Sequence, residues 1–157
     1  MKKPFAFLAL AMITFALGPQ AFSAQCPLGN ATIHGSYTVF GTGTIVGVGP
    51  VTVVGVQTWD GQGNTVATHT VSVNGNIFIG VTKTGTYSIN PDCTGSTAQS
   101  DGTHYDFVAS PDGNGTTWIE IDAGTVISGT ETRLRSREEG DARQSSARKG
   151  YAQHLHN

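Results

Sequence analysis

Residues 24–134 predict an all-β fold, an antiparallel up-and-down barrel of about eight or nine short strands. Three observations carry that expectation. Short runs rich in Val, Ile, Thr, Tyr and Phe are divided at close intervals by Gly/Asn/Asp clusters. Within several runs the side chains alternate between an apolar and a polar face. Nothing in this body has the 3.6-residue periodicity of a helix.

Taken in order, strands are expected near 36–46, 50–59, 65–73, 76–83, 85–90, 94–100, 103–109, 116–122 and 125–134. The turns are marked by "DGQGN" (60–64), "NGN" (74–76), "NPDC" (90–93), "SDG" (100–102) and "PDGNG" (111–115). Each holds a residue that tolerates positive φ or fixes a turn. In "THYDFVA", Thr103, Tyr105, Phe107 and Ala109 share one face, and His104 and Asp106 the other. In "TTWIEIDA", Ile119 and Ile121 oppose Trp118, Glu120 and Asp122, and the two carboxylates read as a solvated strand face. Ring closure would remove the exposed edges, so a barrel is preferred and a two-sheet sandwich is the alternative. Gly41, Gly43, Gly47, Gly49 and Gly55 permit sharp bending or close backbone approach in the first two strands. They do not form a phosphate cradle, because the body has no G-x-G-x-x-G and no G-K-[ST]. No cofactor is expected.

The two ends of the chain differ from this body. Lys2 and Lys3 precede the apolar run Phe5 to Leu17, and small residues follow at Ala21, Ser23 and Ala24. That is the build of a secretory signal peptide over residues 1–23, with an apolar run shorter than the roughly 20 residues a spanning helix needs. Gln25 is too large and polar for a lipoprotein processing site ahead of Cys26. The expectation is therefore export as a free protein, secreted or periplasmic, with no stable membrane insertion after cleavage. Residues 135–157 are rich in both charges and poor in apolar content, which predicts a disordered tail. Between the ends, residues 25–130 carry seven carboxylates and one basic residue, Lys83. So acidic a body cannot neutralise a run of phosphates, which excludes nucleic acid as a partner.

Export places Cys26 and Cys93, the only cysteines, where thiols oxidise, and pairing is the expected state. The loop so closed would contribute about 4 kcal/mol by the chain-entropy argument. Neither cysteine has a second cysteine or a histidine at ligand spacing, and no two of His34, His69 and His104 lie within five residues of each other. "DGNGTTWIE" starts like a calcium loop but has Thr117 where the sharp-turn glycine belongs and Ala123 where the bidentate glutamate belongs. No metal site is expected.

"TWDGQGN", "GTYSINPDCTGS" and "IDAGTVISGTETR" occur in this order. Together they resemble a group of small exported bacterial proteins of unassigned function whose barrel is similar to allene oxide cyclase and the wider calycins. The resemblance covers roughly residues 26–134 and ends near Arg135. It implies the barrel, export and a bridge between Cys93 and Cys26; it transfers no common activity.

Three side chains stand out as candidate ligand contacts. His69 shares a strand face with Ala67, Val71 and Val73, so it becomes a polar group in an apolar lumen if that face points inward. Trp59 and Tyr37 are candidate contacts beside it, with a hydrogen-bonded core as the alternative role for all three. The favoured function is a binding or accessory protein for a small, mainly apolar ligand held in the barrel mouth or lumen. No catalytic residue is assigned. A cofactor-free isomerase or cyclase of the allene oxide cyclase type is the enzymatic rival, favoured by a lumen holding one carboxylate plus an ordered tyrosine or histidine. A surface or matrix interaction protein is the third class, favoured by a filled barrel. The oligomeric state is not indicated.

Overall fold

A computed structural model describes residues 25–135 of the 157. The expected leader, residues 1–23, and the expected tail, apart from Arg135, lie outside the described residues. Eight strands form one closed antiparallel barrel: β1 (Gly35–Ile45), β2 (Gly49–Trp59), β3 (Asn64–Val73), β4 (Asn76–Ile89), β5 (Thr94–Gln99), β6 (His104–Ala109), β7 (Gly115–Glu120) and β8 (Thr125–Arg133). Each strand pairs with its sequence neighbours, and β8 returns to β1 from Tyr37↔Arg133 to Ile45↔Thr125. The barrel therefore has no sandwich-type break between two sheets.

One expected boundary is corrected. Residues 76–83 and 85–90 are a single strand, because Gly85 does not turn the chain. It pairs with Gln99, and a Cβ there would lie 2.7 Å from the Gln99 side chain. Gly85 makes room for a neighbour instead of marking a turn. The irregularity in this hairpin lies elsewhere, at a register shift between His69 and Val71 opposite Gly80, whose φ is +68°.

Hairpins at 46–48, 74–75, 100–103 and 121–124 ring one end of the barrel, the mouth; those at 60–63, 90–93 and 110–114 ring the base. β5, β6 and β7 are six residues each while β1 to β4 run from ten to fourteen, so the wall is lower on one side. The base is stoppered by the segment before β1, which includes a 3₁₀ turn over Gly29–Thr32. Ile33 is completely buried, and the Asn30 side chain accepts from the Ile89 N–H at 2.9 Å. Tyr87 donates its hydroxyl proton toward the carbonyls of Asn30 and Ile33. Cys26 completes the stopper through its disulfide to Cys93, across 67 residues of chain. Cys93 has φ +71°, a left-handed conformation rare outside Gly and Asn, which lets the 90–93 turn present its sulfur to Cys26.

The inner face explains the glycines. Gly41 and Gly129 are cross-strand partners, and Gly129 also pairs with Trp118. A Cβ on either glycine would lie 2.4–2.7 Å from the Trp118 indole, so their hydrogen side chains are what admits that ring to the interior. Gly55 does the same for His69, and Gly95 for Phe107. Small residues opposite large ones let a narrow barrel hold aromatic side chains inside.

Candidate binding site in the barrel lumen

Above the stopper the barrel encloses a cavity of about 190 Å³. Its apolar wall comes from Val39 and Ile45 on β1, Val51 and Val53 on β2, Val71 and Val73 on β3, and Ile127 on β8. Trp59, Phe107, Trp118 and Tyr105 supply aromatic surface. Trp59 is held against Tyr87 with centroids 4.7 Å apart, and Trp118 against Tyr105 at 5.3 Å, both edge-on. These contacts hold the rings in fixed orientations.

The polar groups of the lumen sit at two levels. At the lower level is Glu131, 6% exposed, whose Oε2 accepts the Trp59 Nε1–H at 2.9 Å. Burial pushes its carboxyl up to about 7, against the pull of hydrogen bonds from Trp59 and Thr116, which favour the ionised form. Strand register links it to His69. Glu131 pairs with Val39, Val39 with Gly55, and Gly55 with His69, so one cross-barrel row carries both groups, with the Val39 side chain and the bare Gly55 between them. Nearer the mouth are Lys83, Gln99 and Glu120. Lys83 is tied to Asp101 at 2.5 Å. Burial, and then the Asp122 charge, raises the Glu120 carboxyl.

Three buried polar atoms in the cavity lining have no hydrogen-bond partner: His69 Nε2, Gln99 Oε1 and Trp118 Nε1. Burial, and then the charge on Lys83, lowers the His69 pKa, which favours the neutral ring. Unpaired polar atoms are costly in a core and useful in a binding site.

The three sequence candidates occupy different places. His69 and Trp59 line the cavity. Tyr37 does not; it is fully buried toward the base, and its hydroxyl donates to the Gly113 carbonyl. Two further groups escape the sequence reading. Glu120 faces the lumen with Trp118, while Ile119 and Ile121 point outward and are half-exposed, which corrects the expected orientation of β7. Glu131, which opens the charged stretch of the sequence, is the most buried carboxylate among the described residues. Its signal was the alternation Thr125, Ile127, Gly129, Glu131 on the inner face of β8. Outside the lumen, His104 pairs with Asp122 at 2.8 Å on the exposed surface, not with Asp106. Asp60 accepts from the backbone N–H groups of Gln62, Gly63 and Asn64, so "DGQGN" is a self-capped turn.

Family models, curated proteins and solved structures give no match to this chain.

Proposed function

We propose that this chain is an exported barrel that binds a small, mainly apolar molecule in its lumen. The observation that carries the proposal is the enclosed space itself: about 190 Å³ of room, walled by valines and edge-locked aromatics, with polar atoms left unpaired inside. An apolar cavity of roughly 150 Å³ accepts a benzene ring, so this one has space for a single ring with a short substituent. A pocket of that kind, with a few convergent polar groups, is the usual form of a small-molecule site. His69 and Trp59 are the proposed contacts from β3 and β2, joined by Trp118, Gln99 and Glu131. Export rests on the leader-like N-terminus and fits the Cys26–Cys93 bridge, since such bridges persist outside the reducing cytosol.

A neutral probe tests the binding reading. Titration of 2-phenylethanol, followed by calorimetry and tryptophan fluorescence, is expected to show saturable one-to-one binding. Val71→Phe, which fills the lumen from β3, is expected to weaken it at least tenfold while keeping the folded far-ultraviolet spectrum. A wild-type protein that shows no saturable binding overturns the proposal.

One observation favours the cofactor-free isomerase or cyclase as a second reading. Glu131 is a buried carboxyl near its titration point, and its cavity also holds Tyr105 and His69. Such a group can give or take a proton next to a bound substrate at neutral pH. Stereoselective ring closure of a small epoxide, lost in Glu131→Gln, is the expected result on this reading; a racemic product unchanged by the protein rules it out.

A further inference from the structure

The polar groups of the lumen are unequal in kind, and the inequality points to a class of ligand. This inference rests on the lumen reading above. Glu131 has about four lone-pair sites and only two protein donors, Trp59 and Thr116, so it retains capacity to accept. Gln99, 8% exposed, adds an unpartnered acceptor oxygen, and Glu120 adds a second carboxylate nearer the mouth. Against these acceptors, Trp118 Nε1 is the fully buried donor-only atom of the lining left without a partner, and the Gln57 and Gln99 amides, which carry acceptor and donor together, bring no charge. Lys83, the one lysine among the described residues, already faces Asp101. His69, with its protonated form disfavoured by burial, does not supply a compensating positive charge.

From this balance we infer that the lumen selects a small amine, bound as its ammonium form, with N–H donors toward Glu131 and its apolar part against Trp59, Phe107 and Trp118. Three physical points support the class. The desolvation of Glu131 is already borne by the folded protein, so an incoming cation finds an acceptor that needs no further reorganisation. Aromatic faces around a cation add attraction that neutral or anionic ligands do not receive. An anion would meet two carboxylates in a low-dielectric space, where like charges repel strongly. A metal cation fits less well, since no three His, Cys, Asp or Glu side chains converge among the described residues.

Three probes of one shape test it: 2-phenylethylamine, 2-phenylethanol and phenylacetate, each titrated at pH 8 by calorimetry. The amine is expected to bind at least tenfold tighter than the alcohol, and phenylacetate more weakly than either. In Glu131→Gln the ratio of amine to alcohol affinity is expected to fall to within threefold of one. Asp106→Asn, which removes a charge from the outer face of β6, should leave that ratio as in the wild type. Equal affinity for amine and alcohol in the wild type overturns the inference, and so does a preference that survives in Glu131→Gln. Binding of the alcohol alone leaves the lumen reading standing and removes the amine. Failure of all three probes overturns both.

Discussion

Glu131 shows how one carboxyl in a barrel wall couples fold stability to pH. Its folded pKa of about 7 lies above the ordinary carboxylate value, so its contribution is fully present at low pH. That contribution is lost as pH rises through the folded value, because the charged form is the costly one in the lumen. The span from about 4.5 to about 7 corresponds to about 3 kcal/mol between pH 4 and pH 8. Glu120 acts with the same sign, its pKa also being raised. His69 acts oppositely: its lowered pKa makes stability rise with pH as the unfolded histidine loses its proton. Comparison with Glu131→Gln therefore isolates the one carboxyl. Urea unfolding at pH 5 and pH 8 is expected to show the variant within about 1 kcal/mol of wild type at pH 5 and roughly 1–3 kcal/mol more stable at pH 8. A difference that does not change with pH would mean that Glu131 titrates normally. Little of this was legible from the residues alone. Glu131 falls inside the expected strand 125–134 but opens the charged stretch of the chain, and the pairing Glu131↔Val39 shows that the barrel closes over it.

At the scale of single strands, alternation was readable and orientation was not. The faces of β6 follow the sequence, with Phe107 and Ala109 buried and His104 and Asp106 exposed. On β7 and just past it, alternation sets Ile119 and Ile121 against Trp118 and Glu120, yet Trp118 and Glu120 face inward. What decides the matter is space: Gly41 and Gly129, far away in sequence, leave a slot beside β7 that only a large ring fills. The glycines were legible as close-approach positions, but the ring that approaches becomes known only with the register. A double-mutant cycle tests the pairing. Gly41→Ala, whose methyl meets the indole and Val53, is expected to destabilise by roughly 1–3 kcal/mol. The same change in a Trp118→Leu background should cost less, with a coupling of roughly 0.5–3 kcal/mol measured by denaturant unfolding. Strict additivity would show that the glycine serves the backbone and not the ring.

For the molecule as a whole, one ring of strands has a closed base and an open, uneven mouth, and the base is where its cohesion concentrates. The closed topology and the cysteine pair were both legible in the sequence, because turn chemistry and a count of just two cysteines are local signals. The lumen was not, since its volume depends on how eight inner faces meet. Trp59, Tyr87, Phe107, Ile89 and Ile33 belong to one buried cluster that also contains both cysteines. The Cys26 N–H donates to the Pro91 carbonyl at 3.0 Å, and the Ala109 N–H to the Cys93 carbonyl at 2.9 Å. The bridge thus ties the stopper to β5 and β6 beneath the cavity, and opening it frees the N-terminal segment from the barrel floor. Loop-closure entropy alone assigns the bridge about 4 kcal/mol. For a domain near this size each kcal/mol moves the midpoint by roughly 4 °C or more, so reduction should lower Tm by about 15 °C or more. Because the stopper is also the floor of the lumen, the reduced protein should lose affinity for 2-phenylethanol at temperatures where its far-ultraviolet spectrum is still folded. A reduced protein with unchanged Tm would mean that the β-ring stands without its stopper. Lower Tm with unchanged affinity would mean that the lumen is closed by the strands alone.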